Sequence, residues 1–533
     1  MANPPPKIRW AIFIALALLA LAVRLPQLGE RPMHTDESIN AYITGRLLAG
    51  EKYHYDPQDR HGPVLYLFAK PVVELCGAKT FSGLTEAELR LTPVIIGSAT
   101  VLMFGAGVEM FGFIPCLIAA LLFAVAPLPV YYSRYFIHET LFVAATWGLI
   151  LSGGRALKSR SILVAALAGF CAALMLAGKE TAIIHFFALA VAAVICLWLA
   201  KQPEKIPPAK MLLTASISFL AASILLFTWF GQNWSALADL FRAIPHFAER
   251  AGGQGHEKPF GYYLSILDPQ FLFFIVAATG IYAVICDAVA GTRRAGLLLA
   301  IYGVLIFLIY SAIPYKTPWL ALNFWLPLAL LCGFGVEGVW LQIKAATGRW
   351  IAAIAIAAFI LVAGQQTKTL AFDRPADERN PLAYAHTTED ILGLPLRIEE
   401  ICRERQLAEP RIAVVAADAW PLPWYLRTFS QVGYWQPGQE TGAADFFITT
   451  TDVSGKLADQ LKDFRPEYFG VRPNVLLILW TPPHEAGSAG VPPASQKQTA
   501  RTRRRDASAP RDDAPVQEFK ARNYVSLNFP ASP

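Results

Sequence analysis

The sequence predicts a polytopic α-helical membrane protein with a small α/β domain at its C-terminal end. Apolar runs long enough to span a bilayer recur up to about residue 364, which predicts the membrane part. Strand-like and helix-like segments alternate after that point, which predicts the α/β domain. Composition agrees, because only 16% of the 533 residues are charged, whereas soluble domains carry about 25%.

The first apolar run covers residues 8–25 and begins beside the basic residues Lys7 and Arg9. It continues past Arg24 without a small-x-small cleavage site, so we expect a retained spanning helix rather than a cleaved signal peptide. With the later runs, the sequence predicts about eleven spans. The later runs are 91–110, 113–131, 137–151, 162–177, 181–200, 211–230, 271–289, 297–313, 319–340 and 350–364.

A shorter apolar run at residues 64–76 lies in the first loop, 26–90. It is too short to cross a bilayer, so we expect an interfacial or half-buried helix there.

The basic residues of the short loops predict the orientation of the chain. With this helix count, they fall on the same side as Lys7 and Arg9, and basic short loops mark the cytoplasm. We therefore expect a multi-pass protein of the inner (plasma) membrane with a cytoplasmic N-terminus. The first loop and everything after residue 364 then lie outside. The basic loops contain Arg155, Lys158, Arg160, Lys201, Lys205, Lys210, Arg293, Arg294, Lys344 and Arg349.

The C-terminal part divides into three stretches. Residues 365–483 follow the membrane domain, 1–364, and contain predicted strands at 411–416, 445–450 and 475–480. Helical segments are expected at 390–404 and 456–461. Residues 484–515 are rich in Ala, Ser, Pro and Arg and predict a disordered linker. Residues 516–533 form a C-terminal tail.

Net charge and cysteine content argue against a nucleic-acid-binding protein and against a protein built around disulfides or zinc. The net charge of +6 resides mainly in short loops and near the C-terminus, where topology and linker chemistry explain it, so we expect no nucleic-acid partner. The seven cysteines are scattered and form no CxxC pair, so we expect neither a disulfide framework nor a zinc site.

Ionisable residues gather at the predicted outer ends of helices. The adjacent pair Asp36 and Glu37 follows the first helix, and by itself it is an ordinary start of a surface helix with Thr35 or Asp36 as N-cap. Carboxylates supply general bases and cation sites, whereas lysine and arginine bind phosphate. We therefore expect a site for an anionic, lipid-linked substrate at the outer surface. The other members are Arg134, His138, Glu139, Lys179, Glu180 and Lys316.

Aromatic residues accompany these groups, and two interpretations of them stay open. They form an ordinary interfacial belt, or some of them stack on sugar rings. They are Tyr131, Tyr132, Tyr135, Tyr262, Tyr263, Tyr315 and Trp319.

Four stretches carry a resemblance to a known superfamily: HTDESINAY, DRHGPVLYLF, YYSRYFIHE and PYKTPWLALNFWLPLALL. In this order they resemble the GT-C polytopic glycosyltransferases, in the branch of the protein O-mannosyltransferases and aminoarabinose transferases. With GKETA and DAWPLPWYLR, the chain is most similar to a prokaryotic group whose archaeal members are labelled flippase-activity-associated proteins. The resemblance covers most of residues 1–480. Trp319 departs from that branch's Lys-x-Pro-x-Tyr pattern, and His138-Glu139 stands where relatives often have Asp.

The resemblance implies roles for particular residues. Asp36 would be the catalytic carboxylate that takes the acceptor's proton, and Glu37 would assist or orient it. Lys316 would meet the donor phosphate. Further candidates for phosphate contact are Arg134, Lys179, Arg60 and His61.

Some of these roles stay open. His61 either contacts phosphate or is a structural hydrogen-bonding residue in a Gly-Pro turn. His138, Glu139 and Glu180 are candidates for acceptor or metal contact, and Glu139 could instead only pack. No cofactor is certain, a divalent cation is left open, and the identity of any metal is unknown.

The function implied is transfer of a sugar from a polyprenyl-phosphate donor to an extracytoplasmic acceptor, with inversion. The expected partners are that donor, membrane lipids, and an unidentified glycan, lipid or protein acceptor. Two alternatives are a lipid-linked sugar flippase or its accessory, and a non-enzymatic assembly protein. Transport should place ionisable residues midway along helices, whereas here they lie near helix ends, which favours surface chemistry.

Overall fold

The computed structural model describes residues 3–56, 61–199, 208–253, 255–267, 271–290 and 294–483. Arg60, Lys201, Lys205, Arg293 and the stretches 484–515 and 516–533 lie outside the described residues. The membrane part is built from helices α1 to α16. Their bounds are α1 Pro6–Arg24, α2 Thr35–Leu48, α3 Val64–Leu75, α4 Glu86–Phe111, α5 Phe113–Val125, α6 Pro127–Tyr132, α7 Glu139–Ser159, α8 Ile162–Leu176, α9 Ala182–Leu199, α10 Ala209–Phe227, α11 Ala236–Arg250, α12 Tyr262–Ile266, α13 Phe271–Ala290, α14 Arg294–Ala312, α15 Ala321–Gln342 and α16 Ala346–Lys368.

Each predicted span falls on a helix. Within the described ranges, eight helices are long and apolar enough to cross a membrane. Three shorter apolar helices, Phe113–Val125, Ile162–Leu176 and Phe274–Val289, occupy the remaining predicted spans. The predicted interfacial helix is α3, whose 12 residues are too few to cross a bilayer.

One predicted span is interrupted. The run 113–131 is not one helix, because Ala126 is extended, with ψ of 151°, and separates α5 from α6. The next residue is a proline, which has no N–H to donate and disfavours helical geometry in the residue before it. The buried guanidinium of Arg24 donates to the freed carbonyls of Phe123 and Ala124, at 2.6 and 3.1 Å.

The first loop packs closely against the membrane helices. The N–H of Val64 donates to the carbonyl of Ala177 at 3.1 Å. A Cβ atom at residue 62 would lie 2.3 Å from that carbonyl oxygen, so only glycine fits beside the start of α3.

The C-terminal domain, called the sheet domain below, is a five-stranded mixed sheet in the order β2-β1-β3-β5-β4. Parallel pairs join β1 to β2 and β3, and antiparallel pairs join β5 to β3 and β4. Buried Leu394 and Ile398 of α17 join the same apolar cluster as Val414 and Ile448 of the central strands. The elements are α17 Gly393–Glu404, β1 Arg411–Val415, α18 Leu422–Tyr425, β2 Gln431–Trp435, β3 Phe446–Thr450, α19 Ala458–Leu461, β4 Arg465–Arg472 and β5 Val475–Thr481.

The three predicted strands correspond to β1, β3 and β5 in the middle of the sheet. Sequence reasoning missed β2 and β4, which are its two edges. Edge strands are only partly buried, and these two lack the continuous apolar run that identifies a central strand.

The sheet domain docks on the first loop through the region of α18. Trp424 is fully buried, and its indole N–H donates to Glu86 at 2.8 Å. Arg427 donates to the carbonyl of Leu84, and the hydroxyl of Tyr425 accepts from the N–H of Met33 at 2.8 Å. The stretch DAWPLPWYLR therefore places the sheet directly beside the start of α2.

Candidate active site

Asp36 lies in the first turn of α2, and its side chain is 45% exposed. The N-cap of this helix is His34, so the expectation of Thr35 or Asp36 as N-cap was wrong. His34 Nδ1 accepts the Asp36 N–H at 3.1 Å, and Glu37 accepts the His34 N–H at 3.2 Å. This capping box fixes the backbone of Asp36 and leaves its carboxylate open.

Glu37 has the opposite surroundings. Its side chain is completely buried and accepts hydrogen bonds from Arg90 at 2.8 and 2.9 Å and from Arg31 at 3.2 Å. The N–H of Phe136 adds a further hydrogen bond at 2.9 Å. Burial opposes ionisation, but Arg90 and Arg31 hold the pKa of Glu37 well below its usual range. Glu37 is therefore an anchor for the loop that carries Asp36.

A basic loop forms a second wall of the site. The loop starts at Arg250, the last residue of α11, and ends at Lys258, with Gln254 outside the described residues. It pairs with the chain just before α15, because the Lys258 N–H donates to Pro314 and the Lys316 N–H donates to His256, both at 3.1 Å. The ammonium of Lys316 is buried and donates to the carbonyls of Lys258 and Ile313, at 3.0 and 2.5 Å. Lys316 thus ties the basic loop to the end of α14.

The basic loop presents further basic residues that sequence reasoning missed. Arg250 donates to the hydroxyl of Tyr315 at 3.1 Å, and the ring of His256 lies 4.9 Å from the Tyr315 ring. Lys258 Nζ lies 5.6 Å from the ring centre of Tyr384. The glycine-rich polar run ERAGGQGHEKP was the signal that could have identified these residues.

Asp36 and the basic loop interact electrostatically. Burial lowers the pKa of His256, the neighbouring Arg250 lowers it further, and the charge of Asp36 opposes that shift. An open carboxylate beside a basic loop can take a proton from one group while cations hold an anion next to it.

Arg134 does not face this opening. Its guanidinium donates to the carbonyls of Arg24 and Pro26 at 2.6 Å each and to that of Gln27 at 3.2 Å. Its Cζ also lies 4.2 Å from the ring centre of Phe372. Arg134 therefore holds the C-terminal end of α1, which is a contribution to the fold.

Lys179 and Glu139 form a buried ion pair with 2.5 Å between Nζ and Oε1. The neighbouring His138 is also buried, and its Nε2 lies 3.2 Å from the carbonyl of Gly62. Burial, with the nearby charges of His61 and Lys179, holds the pKa of His138 well below its usual range. The ring is therefore a neutral hydrogen-bond donor to the Gly-Pro turn.

His61 and Glu180 form another pair nearer the surface. His61 Nδ1 lies 2.8 Å from Glu180, which also accepts from the hydroxyl of Tyr55 at 2.7 Å. The His61 side chain remains 30% exposed and stacks on Phe247 of α11 at 5.9 Å. Phe247 precedes Arg250 by one turn, so α11 joins the His61 cluster to the basic loop.

No metal site is apparent in the part of the chain that the structure describes. Within those ranges, no group of three or more His, Cys, Asp or Glu side chains could hold a metal ion. Glu139 is paired with Lys179, and Glu180 is shared between His61 and Tyr55.

No protein-family model and no curated protein matches the sequence. The chain is similar to the crystal structure of ArnT from Cupriavidus metallidurans bound to undecaprenyl phosphate, with a TM-score of 0.60 at 14% identity, over 88% of this chain and 97% of that one. It is also similar to the archaeal oligosaccharyltransferase AglB from Archaeoglobus fulgidus in complex with an inhibitory peptide and a dolichol-phosphate. There the TM-score is 0.52 at 14% identity, over 87% of this chain and 74% of that one.

The chain has the GT-C fold. The predicted fold class is thereby confirmed, and the apolar helices with these neighbours make the protein an integral membrane protein. Within this fold, the open carboxylate of Asp36 lies at the junction of the membrane helices and the sheet domain.

Proposed function

We propose that the protein is a membrane glycosyltransferase that moves a sugar from a polyprenyl-phosphate carrier to an acceptor outside the cytoplasm. The observation that carries this proposal is the open carboxylate of Asp36, whose N-cap His34 is joined through Tyr384 to His256 of the basic loop. The GT-C fold adds support, because the neighbours named above include one bound to undecaprenyl phosphate and one bound to a dolichol-phosphate.

In the proposed reaction, Asp36 is the general base. An acceptor hydroxyl attacks the anomeric carbon of the sugar as its proton passes to the Asp36 carboxylate. The bond between that carbon and the phosphate oxygen breaks, and the electron pair stays on the polyprenyl phosphate. A single displacement of this kind inverts the anomeric configuration.

The leaving phosphate gains negative charge, so it needs cations nearby. We assign this role to Arg250 and Lys258, and we assign His256, whose lowered pKa favours the neutral ring, the role of a hydrogen-bonding neighbour. Lys316 was expected to meet the donor phosphate directly, whereas its bonds to two carbonyls support an indirect contribution to binding through the loop.

We assign His61 a second contact with the donor phosphate. Its Nδ1 lies 2.8 Å from Glu180, which orients the ring. The side chain stays 30% exposed, so an anion can contact the ring from the open side. His138, Glu139, Glu180, Lys179 and Arg134 support the site through the buried contacts described above, and Glu37 orients the Asp36 loop.

We also propose that the N-terminus lies in the cytoplasm and that the sheet domain lies outside. The basic short loops support this orientation, because Lys and Arg concentrate in cytoplasmic loops. A reporter enzyme active only outside the cytoplasm, fused after residue 364, should then be active, and the same reporter fused after residue 205 should be inactive.

The deciding experiment measures radiolabelled sugar transfer from polyprenyl-phosphate donors in proteoliposomes. We expect transfer by the wild-type protein and its loss, by about a thousandfold or more, in Asp36→Asn, because the general base is removed. Asp452→Asn, an exposed change in the sheet domain, is the matched control. Full activity of Asp36→Asn would contradict the assignment. No transfer with any donor, together with protein-dependent movement of lipid-linked sugar across the bilayer, would instead indicate a flippase.

A further inference from the structure

Tyr384 belongs to the segment between α16 and the sheet domain, and it contacts both walls of the site. Its carbonyl oxygen lies 3.2 Å from His34 Nε2, on the side of Asp36. Its hydroxyl lies 2.7 Å from His256 Nδ1, on the side of the basic loop. Tyr384, which lies outside the membrane helices, therefore contacts both His34, the N-cap of the helix that carries Asp36, and His256 of the basic loop.

The hydrogen bonds of His34 fix its protonation. Its Nδ1 faces the N–H of Asp36 at 3.1 Å, so that nitrogen must be the acceptor. Its Nε2 faces the Tyr384 carbonyl, so it must carry the hydrogen and donate. Burial lowers the pKa of His34, which favours this neutral form. A directed chain of two hydrogen bonds therefore runs from Asp36 through His34 to Tyr384.

The side chain of Tyr384 is engaged on the opposite wall. Besides its bond to His256, its ring lies below Lys258 Nζ at 5.6 Å and packs edge-on against Trp319 at 5.9 Å. The Trp319 ring also lies 5.9 Å from His34. These contacts hold the ring in one place between the two walls.

The segment around Tyr384 is tied down at both ends. Before it, the hydroxyl of Tyr132 donates to the carbonyl of Leu382 at 2.9 Å. After it, Thr388 donates from its N–H to Val471 at 2.9 Å and from its hydroxyl to Gly470 at 2.7 Å. The second pair of contacts is on β4, so the sheet domain holds one end of the segment and the membrane helices hold the other.

We infer that Tyr384 is a positioning residue that sets the separation between Asp36 and the basic loop. This inference rests on the proposed function and deepens it. Because the segment is anchored to β4, the position of the sheet domain determines how the base and the phosphate-binding cations are placed relative to each other. The sheet domain then contributes to the geometry of the active site, although it supplies neither the base nor the cations.

The test separates the two contacts of Tyr384. Tyr384→Phe keeps the carbonyl and the ring but removes the hydroxyl that holds His256. His34→Asn keeps an N-cap acceptor for Asp36 but loses the bond to the Tyr384 carbonyl. Tyr468→Phe changes an exposed tyrosine of the same domain and is the control.

For Tyr384→Phe we expect the KM for the polyprenyl-phosphate donor to rise by about tenfold while kcat stays within about twofold, because a support of the phosphate site is lost. For His34→Asn we expect kcat to fall by about tenfold while the donor KM stays within about twofold, because the base is less well placed. Binding of polyprenyl phosphate to His34→Asn should keep its wild-type stoichiometry, which excludes a loss of folded protein.

Wild-type KM in Tyr384→Phe together with wild-type kcat in His34→Asn would overturn the positioning role while leaving the proposed function intact. An equal fall of kcat in both variants, with no change in KM and with reduced binding stoichiometry, would indicate a general structural role and overturn it as well. Absence of transfer by the wild-type protein would overturn the proposed function and this inference with it.

Discussion

At the scale of single residues, the adjacent carboxylates Asp36 and Glu37 show how burial separates two chemically similar groups. Asp36 keeps 45% of its side chain exposed, whereas Glu37 is enclosed by two arginines and two backbone N–H groups. A buried carboxylate that is fully paired is already neutralised by its partners, so it is a poor general base. The open carboxylate is therefore the one assigned to catalysis.

Replacing Glu37 by Gln should destabilise the fold by about 3 kcal/mol at pH 7, because it leaves Arg31 and Arg90 without their shared counter-charge. The folded-state pKa of Glu37 is lowered. Its stabilisation is therefore fully present above the ordinary glutamate pKa of about 4.3 and is lost as the pH falls towards the lowered folded-state value.

The difference in apparent Tm between wild type and Glu37→Gln, followed by tryptophan fluorescence, should thus be full at pH 7 and shrink below pH of about 4. Glu51→Gln, at an exposed ion pair with Arg46, is the control and should change little. A difference that stays constant down to pH of about 3 would contradict the role of the Glu37 charge.

Lys258→Ala tests the basic loop. We expect about tenfold weaker binding of polyprenyl phosphate in low salt, because one cation near the anion is removed. The difference from wild type should decrease at high ionic strength, since salt screens the interaction. Lys462→Ala, an exposed lysine in the sheet domain, should bind like wild type. An unchanged affinity in Lys258→Ala at low salt would remove Lys258 from the phosphate site.

At the scale of elements, α11 links the membrane helix α10 to the candidate active site. It begins shortly after the membrane helix α10, and its outward-facing Phe241 and Ile244 are exposed by 71% and 53%. Its other side carries Phe247 against His61 and Arg250 against Tyr315. An amphipathic helix at this position is expected to lie in the membrane interface, with the exposed apolar face among the lipids.

This placement can be measured with a fluorophore attached at residue 241 in a cysteine-free background. Lipids brominated near their headgroups should quench the label strongly. A label at residue 242, where the Arg side chain is 72% exposed and pairs with Asp239, should be quenched less. Equal quenching at the two positions would contradict an in-plane orientation of α11.

At the scale of the whole molecule, the sheet domain is fastened to the membrane part by α18. Trp424 is enclosed between Phe81 and Arg427, whose Cζ lies 3.7 Å from the indole ring centre. The same domain binds Thr388 and so restrains Tyr384. Weakening the contact of Trp424 with the membrane part should therefore increase the mobility of the segment that contains Tyr384.

Trp424→Ala should raise amide exchange in residues 384–388 by about tenfold or more and lower turnover, because the docking of the domain is weakened. Trp435→Ala is the control, since Trp435 packs with the cluster on the far face of the sheet. Hydrogen exchange followed by mass spectrometry makes the comparison. Unchanged exchange in residues 384–388 of Trp424→Ala would show that α18 does not control this segment.

Particular elements show how far the sequence could predict the molecule. The spanning helices were predictable because each is a long apolar run, and the central strands β1, β3 and β5 because each is a short one. The break between α5 and α6 was missed although Pro127 lies there, because the apolar run 113–131 is uninterrupted and was interpreted as one helix. The basic residues Arg250, His256 and Lys258 were missed because they lie in a polar loop far along the chain from Asp36.

The sequence by itself predicted a polytopic membrane protein from its repeated apolar runs, and the order of its polar motifs resembled the GT-C superfamily, whose fold the structure has. It also singled out Asp36 as a carboxylate near the outer end of the first helix. Only the tertiary structure decided which ionisable groups are open and which are paired, because burial and partners come from segments distant in sequence. Arg134 holds backbone carbonyls, Lys179 pairs with Glu139, and Tyr384 joins His34 to His256 across more than one element. Such contacts have no signature in local sequence, since each is made only when the chain has folded.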